Sequence, residues 1–299
     1  MQNALLFLVT VLIWGSTWIA IAWQVGSVPV LVSVFYRFGS AALILLLVLA
    51  ALRRLPVPGW RDQPYILAQA LCLFSCNFLC FYSAAAYLPS GLISVIFSLA
   101  TLYNAVNARI FFGDRIAGRT LLAAALGVSG LLLLFGRDAL IHLDGGTLSG
   151  AGLAALGTLF FSLGNMASRR NSAAGISPLT ANAWGMAYGA LLLLALIGLS
   201  GTPHAAPPDG RYLAALLYLS LVGSVVGFTT YLMLVSRIGS SRAAYTTVLF
   251  PVVALSLSTL FEGYRWDAAG LLGLALTLLG NVVIFWRAPA PRPAAQPLR

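Results

Sequence analysis

Ten apolar runs follow one another along the chain, with only short polar or Gly/Pro-bearing breaks between them. They fall at 4–22, 30–52, 65–87, 92–112, 120–136, 148–168, 179–199, 212–235, 243–262 and 268–286. About 20 apolar residues in a helix cross the hydrocarbon of a bilayer, and a helix satisfies its own backbone hydrogen bonds, as lipid requires. Of 299 residues, 60% are hydrophobic and 8% charged, where soluble proteins carry roughly 25% charged residues. The runs must therefore face lipid or one another. An all-α membrane protein is expected, with the lipid bilayer as its largest partner. Ala20-Ile21-Ala22 is similar to a signal-peptidase site, but Met1-Gln2-Asn3 supplies no basic n-region. The first run is read as a helix.

Every basic side chain is an arginine, 17 in all, and the net charge is +10. The arginines lie between apolar runs rather than in one stripe, which argues against a nucleic-acid partner. Basic loops stay in the cytoplasm. With the N-terminus inside, Arg53, Arg54, Arg61, Arg109, Arg115, Arg119, Arg169, Arg170, Arg237, Arg242, Arg287, Arg292 and Arg299 are cytoplasmic. Only Arg137, Arg211 and Arg265 face outward, and Arg37 lies within a helix. Both termini of a bacterial inner-membrane protein would then be cytoplasmic, with a Pro-rich disordered tail at 288–299.

A shift of 150 residues lays the fifth run on the tenth. Arg115, Leu121, Leu122, Ala125, Leu126, Gly130, Phe135 and Arg137 recur as Arg265, Leu271, Leu272, Ala275, Leu276, Gly280, Phe285 and Arg287. A half with five spans is odd-numbered, so its copy enters the membrane the other way round. The domain reading is a five-helix repeat at 1–137 and an inverted five-helix repeat at 138–287, an architecture that secondary transporters use for alternating access. The same shift pairs Ala123, Gly127 and Gly130 with Gly273, Thr277 and Gly280. Small faces of this kind let helices approach closely in lipid. Helices five and ten are expected to pack within one chain, giving a monomer with an internal pseudo-dimer; homodimerisation is the alternative.

Several short motifs occur in a telling order. Trp14-Gly15-Ser16, Arg37-Phe38 followed by Ala41-Ala42, the stretch Tyr82 through Ser94, and Phe250-Pro251 with Phe261-Glu262 together resemble the ten-helix EamA group of the drug/metabolite transporter superfamily. The resemblance spans nearly the whole chain, and YddG-like amino-acid exporters are the nearest characterised type. Two positions depart from the pattern. Leu99-Ala100-Thr101 stands where a proline often falls, so no kink is expected there, and Asp114 stands where glutamate is commoner.

Transporters of this build bind substrate near mid-bilayer between the halves. The candidates are Trp14, Ser16, Asn77, Phe97, Ser98, Phe161, Ser162, Tyr188 and Thr247, with Tyr82 nearer the outer end. Aromatic rings, single hydroxyls and an amide suit a neutral or zwitterionic small molecule with an apolar part, and ring faces attract ammonium groups. Asn77 is either interhelical glue or a substrate contact, the role that the resemblance implies. Trp14 and Phe161, counterparts in the repeat, either pack or face substrate; Tyr82 is otherwise an interfacial belt residue. Arg37 lies about 10 Å deep. It either snorkels outward or pairs with a substrate carboxylate or Glu262. Pro251 frees the Thr247 carbonyl, as a hinge, a ligand contact or a packing kink.

Glu262, the sole glutamate, falls at the outer end of helix nine, and no carboxylate falls at mid-depth. Weak or absent proton coupling is expected, since proton relays commonly use such a group. Cys72, Cys76 and Cys80 form one helical stripe that either packs or ligates a soft metal; no cofactor is expected. His142 and His204 fall in loops, and neither an H-E-x-x-H element nor a P-loop is present, which leaves little for an enzyme. The expected function is secondary transport of small neutral or zwitterionic metabolites, amino acids foremost, with export implied by the resemblance. Efflux of drugs or another metabolite is the alternative within the superfamily; a channel or an intramembrane enzyme is the alternative of another class.

Overall fold

The computed structural model describes residues 2–141, 145–238 and 246–285. Ten helical segments run through them: α1 Gln2–Ala22, α2 Val30–Ala51, α3 Trp60–Ala84, α4 Ser90–Phe112 and α5 Gly118–Ile141. After these come α6 Gly145–Ala173, α7 Pro178–Ser200, α8 at 210–238, α9 Thr246–Phe261 and α10 Ala268–Phe285. Seven of them, α1–α4 and α6–α8, are long and apolar enough to cross a membrane, and α5, α9 and α10 contain shorter apolar stretches. The tail 288–299, His142, Arg242 and Arg287 lie outside the described residues.

Local chemistry explains most of the helix boundaries. Pro29 and Pro89 immediately precede α2 and α4, and Pro178 opens α7. Proline suits a first turn because its missing N–H would have had no intrahelical partner. Ser177 caps α7 by accepting from the Thr180 N–H at 3.1 Å. Asp209 and Asp267 cap α8 and α10, each accepting at 2.7 Å, from the N–H of Tyr212 and of Gly270. Such caps satisfy donors that the helix cannot. Gly113 ends α4 with φ +73°, a left-handed conformation open to glycine at little cost.

Three helices are irregular. In α3 the stretch Cys72–Cys76, and in α8 the stretch Tyr218–Val226, is π-helical. Residue 222, within the second stretch, is 150 positions beyond residue 72, so the two occupy equivalent places in the repeat. α4 is interrupted for one residue at Leu99, where ψ is −1°, without a proline there. A partner side chain spans the interruption. Asn281 of α10 accepts from Thr101 Oγ1 at 2.8 Å and donates to Ser98 Oγ at 3.3 Å. It thus holds both sides of the break.

Packing repeats the same symmetry. α1 packs on α9 and α8, as α6 packs on α4 and α3; α2 packs on α7, α5 on α10, and α4 on α9. Exchanging the first five helices for the last five maps these contacts onto one another or onto themselves, as a two-fold repeat predicts. α5 and α10 meet along the small residues. A Cβ added to Gly130 would stand 2.5 Å from the Gly273 carbonyl oxygen, and one added to Gly280 2.8 Å from that of Ala123.

The two ends of the bundle differ chemically. At one end Arg169 pairs with Asp114 at 2.7 Å and Arg170 with Asp62 at 2.6 Å, while their guanidinium groups lie over Phe112 and Tyr65. The Arg169 hydrogen bonds hold the Asp114 carboxyl below its ordinary range. At the other end the Glu262 carboxylate joins α9 to the start of α4. It accepts from the Ser90 N–H at 3.0 and 3.1 Å, from the Ser90 hydroxyl at 2.7 Å and from Ser258 at 2.6 Å. The first half of α4 packs on α9, α1 and α6, whereas its second half packs chiefly on α6.

Candidate functional site

A cavity of about 70 Å³ lies between α1, α2, α3, α4, α6, α8 and α9, reaching from mid-bundle toward the Glu262 end. Its walls are mainly rings. Trp14 packs against Phe228 and Tyr231 with centroids at 5.4 and 4.9 Å. Phe97 touches Phe161 at 4.6 Å, Phe81 at 5.4 Å and Phe250 at 5.5 Å. The two π-helical stretches help to shape the walls. Asn77 follows the first directly, and Gly223 and Ser224 lie in the second. π-bulges widen a helix by one residue and are frequent at functional sites.

Two polar groups interrupt this apolar lining. The Arg37 side chain is 3% exposed, so it does not snorkel. Its Nε donates to Ser224 Oγ at 3.4 Å, its guanidinium lies 4.4 Å from the Phe78 ring centre and 5.2 Å from that of Phe38, and it neighbours the Tyr82 hydroxyl. Its Nη1 has no hydrogen-bond partner. The described carboxylates of Asp62, Asp114, Asp209, Glu262 and Asp267 sit at helix ends, and none forms a salt bridge with Arg37. Glu262 is bonded to α4 instead. Asn77 is 1% exposed, and its Oδ1 is likewise unpartnered. A buried charge or amide left unsatisfied is costly. Both line one cavity, so a ligand there could satisfy both.

The structure brings together Trp14, Arg37, Asn77, Phe97 and Phe161 on the cavity wall. Tyr82 lies one layer behind, donating to Gln24 Oε1 at 2.8 Å. The remaining hydroxyl candidates are engaged elsewhere. Ser16 bonds the Leu12 carbonyl and shares a 2.6 Å hydrogen bond with Tyr218; Ser98 faces Asn281; Ser162 accepts from Asn107 at 2.8 Å. Tyr188 donates to Gln63 Oε1 at 2.7 Å, near the start of α3. Pro251 is buried beside the wall residue Phe250, and the Thr247 side chain lies outside the described residues. Thr17, Trp18, Phe78, Phe81, Gly223, Phe228 and Phe250 also line the cavity without having been singled out. Helical spacing was the available signal, since Trp18 is four residues from Trp14 and Phe81 four from Asn77. The thiols of Cys72, Cys76 and Cys80 are free, and no group of three metal-ligating side chains converges among the described residues.

A bundle of two helical repeats with apolar spans around a cavity is the architecture of a polytopic membrane protein. Residues 1–136 and 148–286 match the EamA-like transporter family, and the chain belongs to that family. It is 27% identical over 278 residues to the uncharacterized inner membrane transporter YedA of Escherichia coli K12, covering 90% of this chain and 87% of that one. Protein PagO of Salmonella typhimurium and a probable amino-acid metabolite efflux pump of Escherichia coli K12 are each 24% identical, with 93% of both chains covered. A solved crystal structure superposes with a TM-score of 0.68 at 20% identity, covering 95% of this chain and 96% of its own, which establishes the fold.

Proposed function

We propose that the chain exports small zwitterionic or neutral metabolites, amino acids with aromatic or other uncharged side chains foremost, across a bacterial inner membrane by alternating access. The observation that carries this reading is that one ring-walled cavity is lined by both Arg37 and Asn77, whose Nη1 and Oδ1 each lack a hydrogen-bond partner. A substrate carboxylate would take the guanidinium, an ammonium the amide oxygen, and the side chain the rings. Similarity to a probable amino-acid metabolite efflux pump supports the same class.

The repeats at 1–137 and 138–287 would rock against each other, with both termini cytoplasmic, as the arginine placement favours. The end holding Glu262 is then the outer one, closed by the contact with Ser90, and the salt-bridged end is cytoplasmic. The cavity holds about 70 Å³, room for only a few water-sized spheres, so substrate entry would require the helices to part. Proteoliposome flux of labelled aromatic, aliphatic and hydroxyl amino acids tests the reading, with and without a pH gradient. Saturable, gradient-independent flux of at least one is expected. Robust flux of a drug or another metabolite with no amino-acid flux would reverse the substrate assignment.

A further inference from the structure

Taking this cavity as the transport site, which rests on the reading above, we infer that beside amino acids it takes aromatic 2-hydroxy monocarboxylates, and binds them more tightly than the amino acids of the same shape. The polar inventory of the walls carries the inference. Arg37 is a permanent cation with no salt-bridge partner among the described residues, and its side chain is almost wholly buried. The empty cavity therefore keeps a net positive charge in a medium of low dielectric. A monoanion neutralises it. A zwitterion brings a second cation close to the first, and like charges at short range repel strongly where water does not screen them.

Hydrogen-bond counting points the same way. An ammonium has three N–H donors and needs as many acceptors. Among the described wall side chains Asn77 Oδ1 is the one buried acceptor without any partner, and the Thr17 hydroxyl, which donates to the Trp14 carbonyl at 2.8 Å, adds only its own oxygen lone pairs. The Phe78 and Phe38 rings serve Arg37; an ammonium held on one of the other wall rings would still share the cavity with the Arg37 charge. A hydroxyl has one donor and no charge. It matches the single free amide oxygen as the carboxylate matches the free guanidinium nitrogen, and the surrounding rings take an aryl group.

Four ligands that share one phenyl body separate the contributions: 3-phenyllactate, 3-phenylpropionate, phenylalanine and 2-phenylethylamine. Binding to the purified protein is read from the fluorescence of Trp14 and Trp18, which line the cavity, and flux from counterflow in proteoliposomes. The expected order of affinity is as named, with at least tenfold between phenyllactate and phenylalanine and none measurable for the amine. Arg37→Gln should abolish the carboxylate preference, and Asn77→Leu should remove only the advantage of phenyllactate over phenylpropionate. The order in the unmodified protein decides the matter even if either variant fails to fold. Phenylalanine bound as tightly as phenyllactate overturns the inference and leaves the proposed function standing. Binding of none of the four, with flux of an unrelated metabolite, removes both.

Discussion

Glu262 near the end of α9 binds Ser90 at the start of α4 twice over, through its backbone N–H and through its hydroxyl. The carboxylate thereby caps a helix whose first turn lacks intrahelical acceptors, and it fastens the second repeat to the first. Hydrogen bonds to a charged group contribute about 1.5–3 kcal/mol. Glu262→Gln should weaken this closure and move the protein toward a conformation open at that end. Accessibility of a cysteine at Ser94 to an impermeant thiol reagent, measured with the native cysteines replaced, should rise severalfold; unchanged labelling would show that the contact does not hold the gate.

The α5–α10 seam should tolerate no bulk. A side chain at Gly130 or Gly273 meets backbone of the opposite helix at 2.5–2.6 Å, and overpacking of this kind costs about 1–3 kcal/mol. Gly130→Leu and Gly273→Leu should each lower the melting temperature in detergent while the particle mass stays that of one chain. A dimer lost on Gly273→Leu would instead place that face between molecules.

Asp62 and Arg170 form a salt bridge, which places the end of α6 beside the loop that carries Arg54. Single cysteines at Arg54 and Arg170 should label from the same side of sealed vesicles, the cytoplasmic side if the arginine bias sets orientation. Labelling from opposite sides would contradict the fold.

The Asp114–Arg169 pair makes a pH prediction with a definite sign. Pairing depresses the folded-state carboxyl below 3.8, so its stabilising contribution is complete above that value and is lost as pH falls through the depressed one. Because both side chains are nearly half exposed, the contribution is small. Asp114→Asn should cause a slight, salt-sensitive drop in melting temperature at pH 7, and the difference from the unmodified protein should shrink as the pH is taken progressively below 3.8.

Ring packing around the cavity gives a kinetic test. Phe97 contacts Phe81, Phe161 and Phe250, and Phe97→Ala would leave a void costing about 3–5 kcal/mol. The milder Phe97→Leu should raise KM for aryl substrates severalfold in proteoliposomes and leave a small aliphatic substrate nearly unaffected.

What the sequence made legible follows from how strongly lipid constrains a chain. The requirement for long apolar runs marked all ten helices, and the small residues at Ala123, Gly127, Gly130, Gly273, Thr277 and Gly280 marked a seam where backbones approach closely. Depth along a helix was readable, but facing was not. Ser16, Ser98, Ser162 and Tyr188 were chosen by depth, and each is bonded to a neighbouring helix rather than to the cavity space. The interruption at Leu99 was hidden for a related reason. Asn281, which bonds both sides of it, is 182 positions away in sequence and becomes a neighbour only once α10 has docked. Helix α6 runs from Gly145 to Ala173, past the apolar run at 148–168, and in that extension Arg169 and Arg170 pair with Asp114 and Asp62.

The paired π-helical stretches in α3 and α8 have a mechanical consequence. Each is a place where the ordinary ladder of backbone bonds slips by one rung, so bending there breaks fewer bonds than bending elsewhere. Because the two lie at matched positions in the two repeats, a flexure that unsealed one mouth would have a counterpart to seal the other. Under the proposed mechanism a single design of joint would serve twice, once upright and once upside down.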